Sequence, residues 1–350
     1  MPSAASARVA LSPSPSPNVI MQKAGEIGGS LDSESTDLAA RSGRDLVSTI
    51  GRTPLIELSH CSPADGVRLF AKLEARNPSG SVKDRIARRM VTMAWEEGRL
   101  AAGGTAVVAS TGNTGIAFAM MGRALGFATH VVMPTNVFAE IPKVLEAFGG
   151  AVEWVPAEEG MESAIRVAQN LALNNGWVLF DQFSDASNPQ AHYETTAAEI
   201  LEDLPQVDAF IAGFGTGGTL MGAGRRLKEA NPATKVIAVE PHPGSVVQGL
   251  RSLSEGYVPP IMDLNLLDGK ILVRGGDAFR ATADLLRREA MFAGVSSGAV
   301  LHAARRAAHR IGQGNVVLMF ADGGWKYLGR DPWNETPEPE DELLDDTMWW

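Results

Sequence analysis

Cysteine is all but absent from this chain of 350 residues. Cys61 stands alone, which excludes an internal disulfide and any cysteine-based metal cluster. A lone thiol suits a reducing compartment, so a cytoplasmic location is expected. The histidines (His60, His130, His192, His242, His302 and His309) lack metal-ligand spacing, and no metal site is expected. No apolar run reaches the roughly 18 residues that a membrane span needs. Positive charge is short as well: 31 Lys and Arg face 41 Asp and Glu, for a net charge of −10. That balance argues against general nucleic-acid binding. Internal repeats are lacking too.

The acidity is concentrated at one end. Residues 331–350 hold eight acids (Asp331, Glu335, Glu338, Glu340, Asp341, Glu342, Asp345, Asp346) and no Lys or Arg, so the body of the chain is close to neutral. The acids and prolines should keep this tail extended, and its apolar tip, Met348-Trp349-Trp350, is either a disordered end with no role or, as favoured here, a tethered lid that folds back over the cleft. At the other end, "MPSAASARVALSPSPSPNV" is rich in Ser, Pro and Ala. Residues 1–42 are read as a disordered arm, since they cannot bury enough apolar surface to offset their ordering entropy. The start resembles a transit peptide in being Ser-rich and acid-poor, but it has few arginines and no amphipathic pattern.

The body, in a chain 45% hydrophobic, can bury a large core. From about residue 104 it alternates. "TAVVAS" (105–110) reads as a buried strand and "GIAFAMMGRALGF" (115–127) as a helix closed by Gly126. "HVVMP" (130–134), "AEIPKVLEAFGG" (139–150), "AVEWVP", "MESAIRVAQNLALNN" and "WVLF" continue the rhythm. A second set follows: strands at 208–213, 235–240 and 315–320, with helices at 219–230, around 277–292 and at 298–311. Short apolar strands separated by helices predict parallel sheets covered on both faces, here an α/β protein of two lobes with a cleft between them. Ligands in such sheets bind at the carboxyl ends of strands, so the loops that follow strands carry the chemistry.

Four loops qualify. "NPSGSVKDR" (77–85) places Lys83 between a rigid turn and a helix start, where it is either a solvated charge or an amine reaching into the cleft. "STGNTG" (110–115) offers hydroxyls, an amide and open backbone N–H groups to an anion, or forms an ordinary N-cap turn. "GFGTGGT" (213–219) matches G-x-G-x-x-G, with Glu240 at the end of the next strand, which reads as a dinucleotide fingerprint. Thr216 and Thr219 add donors that suit a terminal phosphate monoester instead, and on this loop alone both readings stand. "GVSSGAV" (294–300) by itself is only a Ser N-cap.

Together, an isolated lysine, an anion loop and a glycine–threonine cup describe a pyridoxal phosphate site. The chain resembles the cysteine synthase group of fold-type II pyridoxal phosphate enzymes from about Leu46 to Leu328. "GRTPLIEL" (51–58), "KLEARNPSGSVKDR", "STGNTGIAFAM", "NPQAHYETT", "GFGTGGTLMG" and "GVSSGAV" occur in the family's order. The resemblance implies two twisted, mostly parallel α/β lobes: a larger one of residues 43–75 and 186–330 that binds the cofactor phosphate, and a smaller mobile one of residues 76–185. It assigns Lys83 to the internal aldimine and to abstraction of the Cα proton, and Asn113 to the cofactor's 3′-oxygen. Gly215, Thr216, Gly217, Gly218 and Thr219 would cup the phosphate, and Ser296 would face the pyridine nitrogen. Ser110, Thr111, Gly112, Thr114 and Gln182 would hold the substrate carboxylate. The implied reaction is β-elimination from an activated L-serine to an aminoacrylate, followed by addition of a nucleophile at Cβ, in a homodimer.

Further stretches resemble the branch that uses O-phospho-L-serine and takes sulfur from a thiocarboxylated sulfur-carrier protein. These are "EPHPGSVVQGLRSLSEGYVPPIMD" (240–263), "MFAGVSSGAVLHAA" (291–304), "DGGWKYL" (322–328) and the tail. Arg251 is then the candidate phosphate clamp, a guanidinium being able to bind a phosphate with two forked hydrogen bonds. Otherwise it is a surface arginine beside Glu255. Three stretches depart from the family pattern: "STGN" for "TSGN", "VFAEIPKVL" (137–145) for the "S-x-E-R" segment, and "TTAAEI" (195–200) for "TTGPE". They leave O-acetylserine with sulfide, or an amine nucleophile, as alternatives. A non-catalytic partner-binding relative is a remoter one, which an intact Lys83 opposes. His192, in "NPQAHY", is expected to form structural hydrogen bonds.

Overall fold

The computed structural model describes residues 45–63, 66–330, 333 and 348–349. The N-terminal arm and most of the acidic tail lie outside the described residues.

Runs that read as uniformly apolar resolve into two faces. In β7 (Ala209–Gly213), Ala209 and Ile211 point one way and Phe210 and Ala212 the other. In β8 (Lys235–Pro241), Ile237 and Val239 part from Val236 and Ala238. In β10 (Gly314–Phe320), Val316 and Leu318 part from Val317 and Met319. One face packs on the helices Gly275–Glu289 and Val295–Ile311 through Ala278, Ala281, Leu285, Ala299 and Ala303. The opposite face meets the helix Gly218–Ala230 through Leu220, Met221, Ala223 and Leu227. Covering both faces removes the need for polar alternation.

These strands form a seven-stranded sheet in the order β1-β2-β10-β7-β8-β9-β11, with β1 at Leu55–Glu57, β2 at Val67–Leu73, β9 at Gly269–Val273 and β11 at Met348–Trp349. The five inner strands are parallel, and β1 and β11 are antiparallel edges. A second sheet, β5-β4-β3-β6, is parallel throughout, with β3 at Thr105–Ala109, β4 at Ala128–Pro134, β5 at Ala151–Val155 and β6 at Val178–Phe180. The helix Asn113–Leu125 closes at Gly126, whose φ of 83° lies in the left-handed region. No helix among the described residues is long and apolar enough to cross a membrane.

Three strands were not expected from the alternating pattern: β1, β2 and β9. The reason is plainest in β2, where Lys72 interrupts an apolar run yet is fully buried. The lysine is tolerated because Glu199 Oε2 lies 2.9 Å from its Nζ and Thr53 O accepts a hydrogen bond. The tail tip also differs from expectation. Trp349 pairs with Lys270 and Met348 with Ile271, in the first half of β9, whereas the chemistry-bearing loops leave the opposite ends of the strands. In this structure the tip is an edge strand, which satisfies the open backbone of β9, and not a lid.

Lys72 belongs to a buried ionic network. Arg85 Nε lies 2.7 Å from Glu74 Oε2 and its Nη1 2.6 Å from Glu199 Oε1, while its Nη2 donates to Thr53 Oγ1 at 3.0 Å. Two cations thus meet two carboxylates, fastening β2 to the helices Lys83–Glu96 and Ala197–Asp203. Burial would raise the Glu199 pKa, but hydrogen bonds and charge from Arg85, with help from Arg52 and Lys72, hold it down at about 2. A carboxylate depressed in the fold contributes stability above its ordinary value of 4.5 and loses it as pH falls towards about 2. Glu199→Gln should therefore destabilise the protein by about 3 kcal/mol at neutral pH, by leaving a buried cation short of its partner. The variant should also flatten the acid limb of stability between about pH 4.5 and 2. Urea titrations across that range measure both; a parallel pair of stability curves would show that Glu199 does not govern the acid limb.

Candidate active site

The ends of β2, β7, β8 and β10 lead to one pocket. Lys83, Gly215, Thr216, Gly217, Thr219 and Ser296 line it, with Gly249 and Leu250 from the loop after β8. Gly218 is buried beside them as the first residue of its helix.

The turn before Lys83 is rigid for identifiable reasons. Gly80 N donates to Asn77 O at 2.8 Å, and Val82 N donates to Ala321 O at 2.8 Å. The buried Asp84 carboxylate reaches back to accept from Ser79 N at 2.7 Å and from the Ser79 hydroxyl. Burial raises the Asp84 carboxyl to about 6, against the lowering effect of these donors. Lys83 opens the helix Lys83–Glu96, half-buried on the pocket wall. Burial pushes its amine down to about 8; Asp322 and Glu74 oppose that change, and Lys326 adds to it. Such an amine is partly uncharged near neutral pH, as a nucleophile or a base requires.

The Gly213–Thr219 loop forms a cup at the N-terminus of a thirteen-residue helix. Gly217, at φ +89°, turns the chain, and a Cβ there would overlap Met262 Sδ; a Cβ on Gly218 would overlap Asn188 Oδ1. Thr216 Oγ1 accepts from Asn188 Nδ2 at 3.0 Å. Thr219 Oγ1 is hydrogen-bonded to His192 Nε2 at 3.2 Å, and His192 Nδ1 to Thr196 Oγ1 at 2.9 Å. Burial, then the charges of Arg85 and Lys83, drive the His192 pKa well below 6.5, so the ring is neutral and serves as a hydrogen-bonding post.

The loop from Ser110 to Thr114 is organised separately. Ser110 Oγ accepts from Gly112 N at 3.1 Å and Gly115 N at 3.0 Å, capping the helix from within. Thr114 Oγ1 donates to Gln182 Oε1 at 2.7 Å, and Gln182 Nε2 donates to Ala109 O at 2.8 Å. Thr111 is exposed and Gly112 is buried beside it. Gln182 O accepts from Asn188 Nδ2 at 2.7 Å, so one asparagine ties this loop to the cup. Asn113 turns towards the end of β10: its Nδ2 donates to Asp322 Oδ2 at 2.8 Å, and Lys326 donates to its Oδ1. Arg251 follows Leu250, with its backbone N bonded to Phe214 O at 2.8 Å. The Arg251 guanidinium carbon lies 5.5 Å from the Phe183 ring centre and 5.0 Å from that of Tyr257.

Asp322, Lys326, Glu74 and Arg85 are the residues that sequence reasoning missed. Their signals were a charge inside an apolar run and an Asp–Lys pair four apart, neither of which says what a side chain faces.

A half-buried amine beside a glycine–threonine cup, in an α/β fold of two largely parallel sheets, is the arrangement of a fold-type II pyridoxal phosphate enzyme. The chain belongs to the family described as "Pyridoxal-phosphate dependent enzyme", whose model matches residues 46–322. It is 40% identical over 294 residues to a cysteine synthase from Aquifex aeolicus, covering 81% of this chain and 90% of that protein. The crystal structure of O-ureido-L-serine synthase superposes with a TM-score of 0.79 at 35% identity, covering 85% of this chain and 97% of that one. Cysteine synthase (OASS) from Entamoeba histolytica gives a TM-score of 0.77 at 30% identity, covering 88% and 95%. The protein is thus a pyridoxal-phosphate-dependent enzyme of β-replacement, of the cysteine synthase type.

The residues fit that cofactor: the cup has no room for a Cβ at Gly217 or Gly218, and the opposing amine is partly desolvated. When bound, pyridoxal phosphate supplies an aldehyde that condenses with amines and a ring that accepts electron density. Lys83→Ala should abolish covalent retention, so that borohydride reduction no longer fixes the cofactor to the chain. Gly218→Ala should keep the lysine yet lose cofactor on dialysis, because the new methyl displaces Asn188. Mass spectrometry of the reduced proteins reads the first outcome and visible absorbance the second. Label retained on the Lys83→Ala chain would remove that lysine from the site.

Proposed function

We propose that the enzyme acts on O-phospho-L-serine, releases phosphate, and joins a sulfur nucleophile to Cβ to give L-cysteine or its carrier-protein adduct. The carrying observation is Arg251. Its guanidinium is held between Phe183 and Tyr257, directly after two residues that line the pocket. A phosphomonoester carries about −1.5 to −2 charge at neutral pH. Desolvating it in a pocket is costly without a fixed cation. An acetyl ester has no such need.

In this reading the Thr114–Gln182 pair and the backbone of Ser110–Gly112 receive the substrate carboxylate. Lys83, once freed by the substrate amine, takes the Cα proton, and its depressed basicity suits that task near neutral pH. Gly215–Thr219 hold the cofactor phosphate and Ser296 meets the ring nitrogen. A hydroxyl there does not force ring protonation, which favours loss of a β-leaving group over transamination. The sulfur donor is a thiocarboxylated carrier protein, and the working form is a homodimer in the cytoplasm. O-Acetylserine with sulfide is the second reading, supported by the likeness to cysteine synthase (OASS) from Entamoeba histolytica.

Arg251→Ala should lower kcat/KM for O-phosphoserine by about 2–4 kcal/mol, the order for removing half of a desolvated charge pair. Turnover of O-acetylserine should change little. Elimination rates from both substrates, in parent and variant, decide between the readings. A parent that prefers O-acetylserine, or a variant that loses both equally, would make Arg251 structural.

A further inference from the structure

A second lysine, buried more completely than Lys83, stands beside the same turn. Lys326 is 2% exposed, in the short 3₁₀ helix Gly324–Arg330 that follows β10. Its Nζ donates to Asn113 Oδ1, lies 3.4 Å from Gly80 O and 3.6 Å from Asp322 Oδ2, and sits 5.0 Å from the Trp325 ring centre. Each of these neighbours is an acceptor or a π face, which favours an ammonium; burial lowers the Lys326 pKa, and the charges of Asp322 and Asp84 oppose that change. The turn it touches, Asn77–Val82, ends at Lys83, and Ala321, Val82 and Lys83 line one pocket.

We propose that Lys326 is a positioning residue of the cofactor site, acting on Asn113 by a hydrogen bond and on Lys83 by like charge. The first action follows from donor and acceptor inventories. A lysine ammonium can only donate and an ionised carboxylate only accept, so Lys326 and Asp322 fix the Asn113 amide the same way round. The Asn113 oxygen faces Lys326 and one N–H is bound to Asp322, which leaves one N–H to offer. The side of Asn113 left open is therefore a donor, suited to an acceptor on the cofactor such as its 3′-oxygen. Tyr327 supports the clamp: its OH donates to Asp322 Oδ2 at 3.1 Å, and burial, reinforced by Asp322, keeps the phenol protonated.

The second action concerns the amine that holds the cofactor. The groups whose charge acts on Lys83 are Asp322 and Lys326, on the segment after Ala321 that shares its pocket and touches its turn at Gly80, and Glu74 after β2; Asp84 adjoins it, and His192 is neutral. Asp322 alone would draw a proton onto Lys83. Lys326 offsets that carboxylate and adds its own repulsion, so it favours the uncharged, reactive amine. None of this depends on which activated serine is used, but it rests on Lys83 as the capturing amine.

The test mixes apo-protein with pyridoxal phosphate across a pH series and follows the rate of covalent capture by visible absorbance. The parent rate should rise with pH through about 8. In Lys326→Met the midpoint should move up by about one unit, making capture near neutral pH about tenfold slower, with the high-pH limit unchanged. Lys326→Gln, which keeps a donor for Asn113 but no charge, should show the same shift and retain cofactor better than Met on dialysis. The Gln variant also carries the test should the Met protein fail to fold. Equal midpoints in parent and neutral variants, or a fall by one factor at every pH, would overturn the proposal. A parent that captures no cofactor would instead sink the assignment of Lys83.

Discussion

The first turn of the helix Lys83–Glu96 is the constraint on which the site depends. Three consecutive charged residues leave it in different directions. Lys83 faces the pocket, Asp84 folds back onto Ser79, and Arg85 enters the network of Glu74, Glu199 and Lys72. Asp84 holds the turn against the helix while Arg85 holds the helix against β2 and the helix Ala197–Asp203. With both neighbours fixed, the lysine backbone has little freedom, and its long side chain is delivered to one place. Removing one member of such a network leaves an uncompensated buried charge, so the cost exceeds the worth of any single pair.

From that point the loops are joined in a chain of specific contacts. Ala321 binds the backbone of Val82, and Asp322 bridges to Ser81 and accepts Gly294 N at 3.1 Å, ahead of Ser296. The Asp322 side chain takes Asn113, on the helix that follows β3. Asn188 joins Gln182 to Thr216, and His192 joins Thr219 to Thr196. Donors and acceptors placed this way cost little reorganisation when charge moves during reaction. Residues that never touch substrate thereby set what the touching residues can do.

Charge is kept in balance in two separate places. Around Arg85, two cations meet two carboxylates out of water. Around Lys83, the carboxylates of Asp322 and Glu74 are opposed by a second lysine, and desolvation is the largest influence on the amine. The first arrangement suits stability and the second suits reactivity. The Arg251 guanidinium lies over the rings of Phe183 and Tyr257, on the loop that follows Leu250.

The amino-acid order alone determined the repeating α/β units, because buried parallel strands and glycine-closed helices leave local marks such as "TAVVAS" and Gly126. It also pointed to loops that the structure brings to one pocket, built of backbone and of residues adjacent in sequence: Gly215–Thr219, and Lys83 after its turn. The three-dimensional arrangement decided the rest. β2 was hidden because a lysine inside an apolar run is acceptable only when Glu199, far along the chain, arrives beside it. The acidic tail suggested a lid, yet backbone pairing with β9 makes its tip an edge strand, and pairing partners are not written in composition. Asp322 and Lys326 carry no motif of their own. Their meaning depends on Asn113, some two hundred residues away, and the forces that join them act through space over a few ångströms.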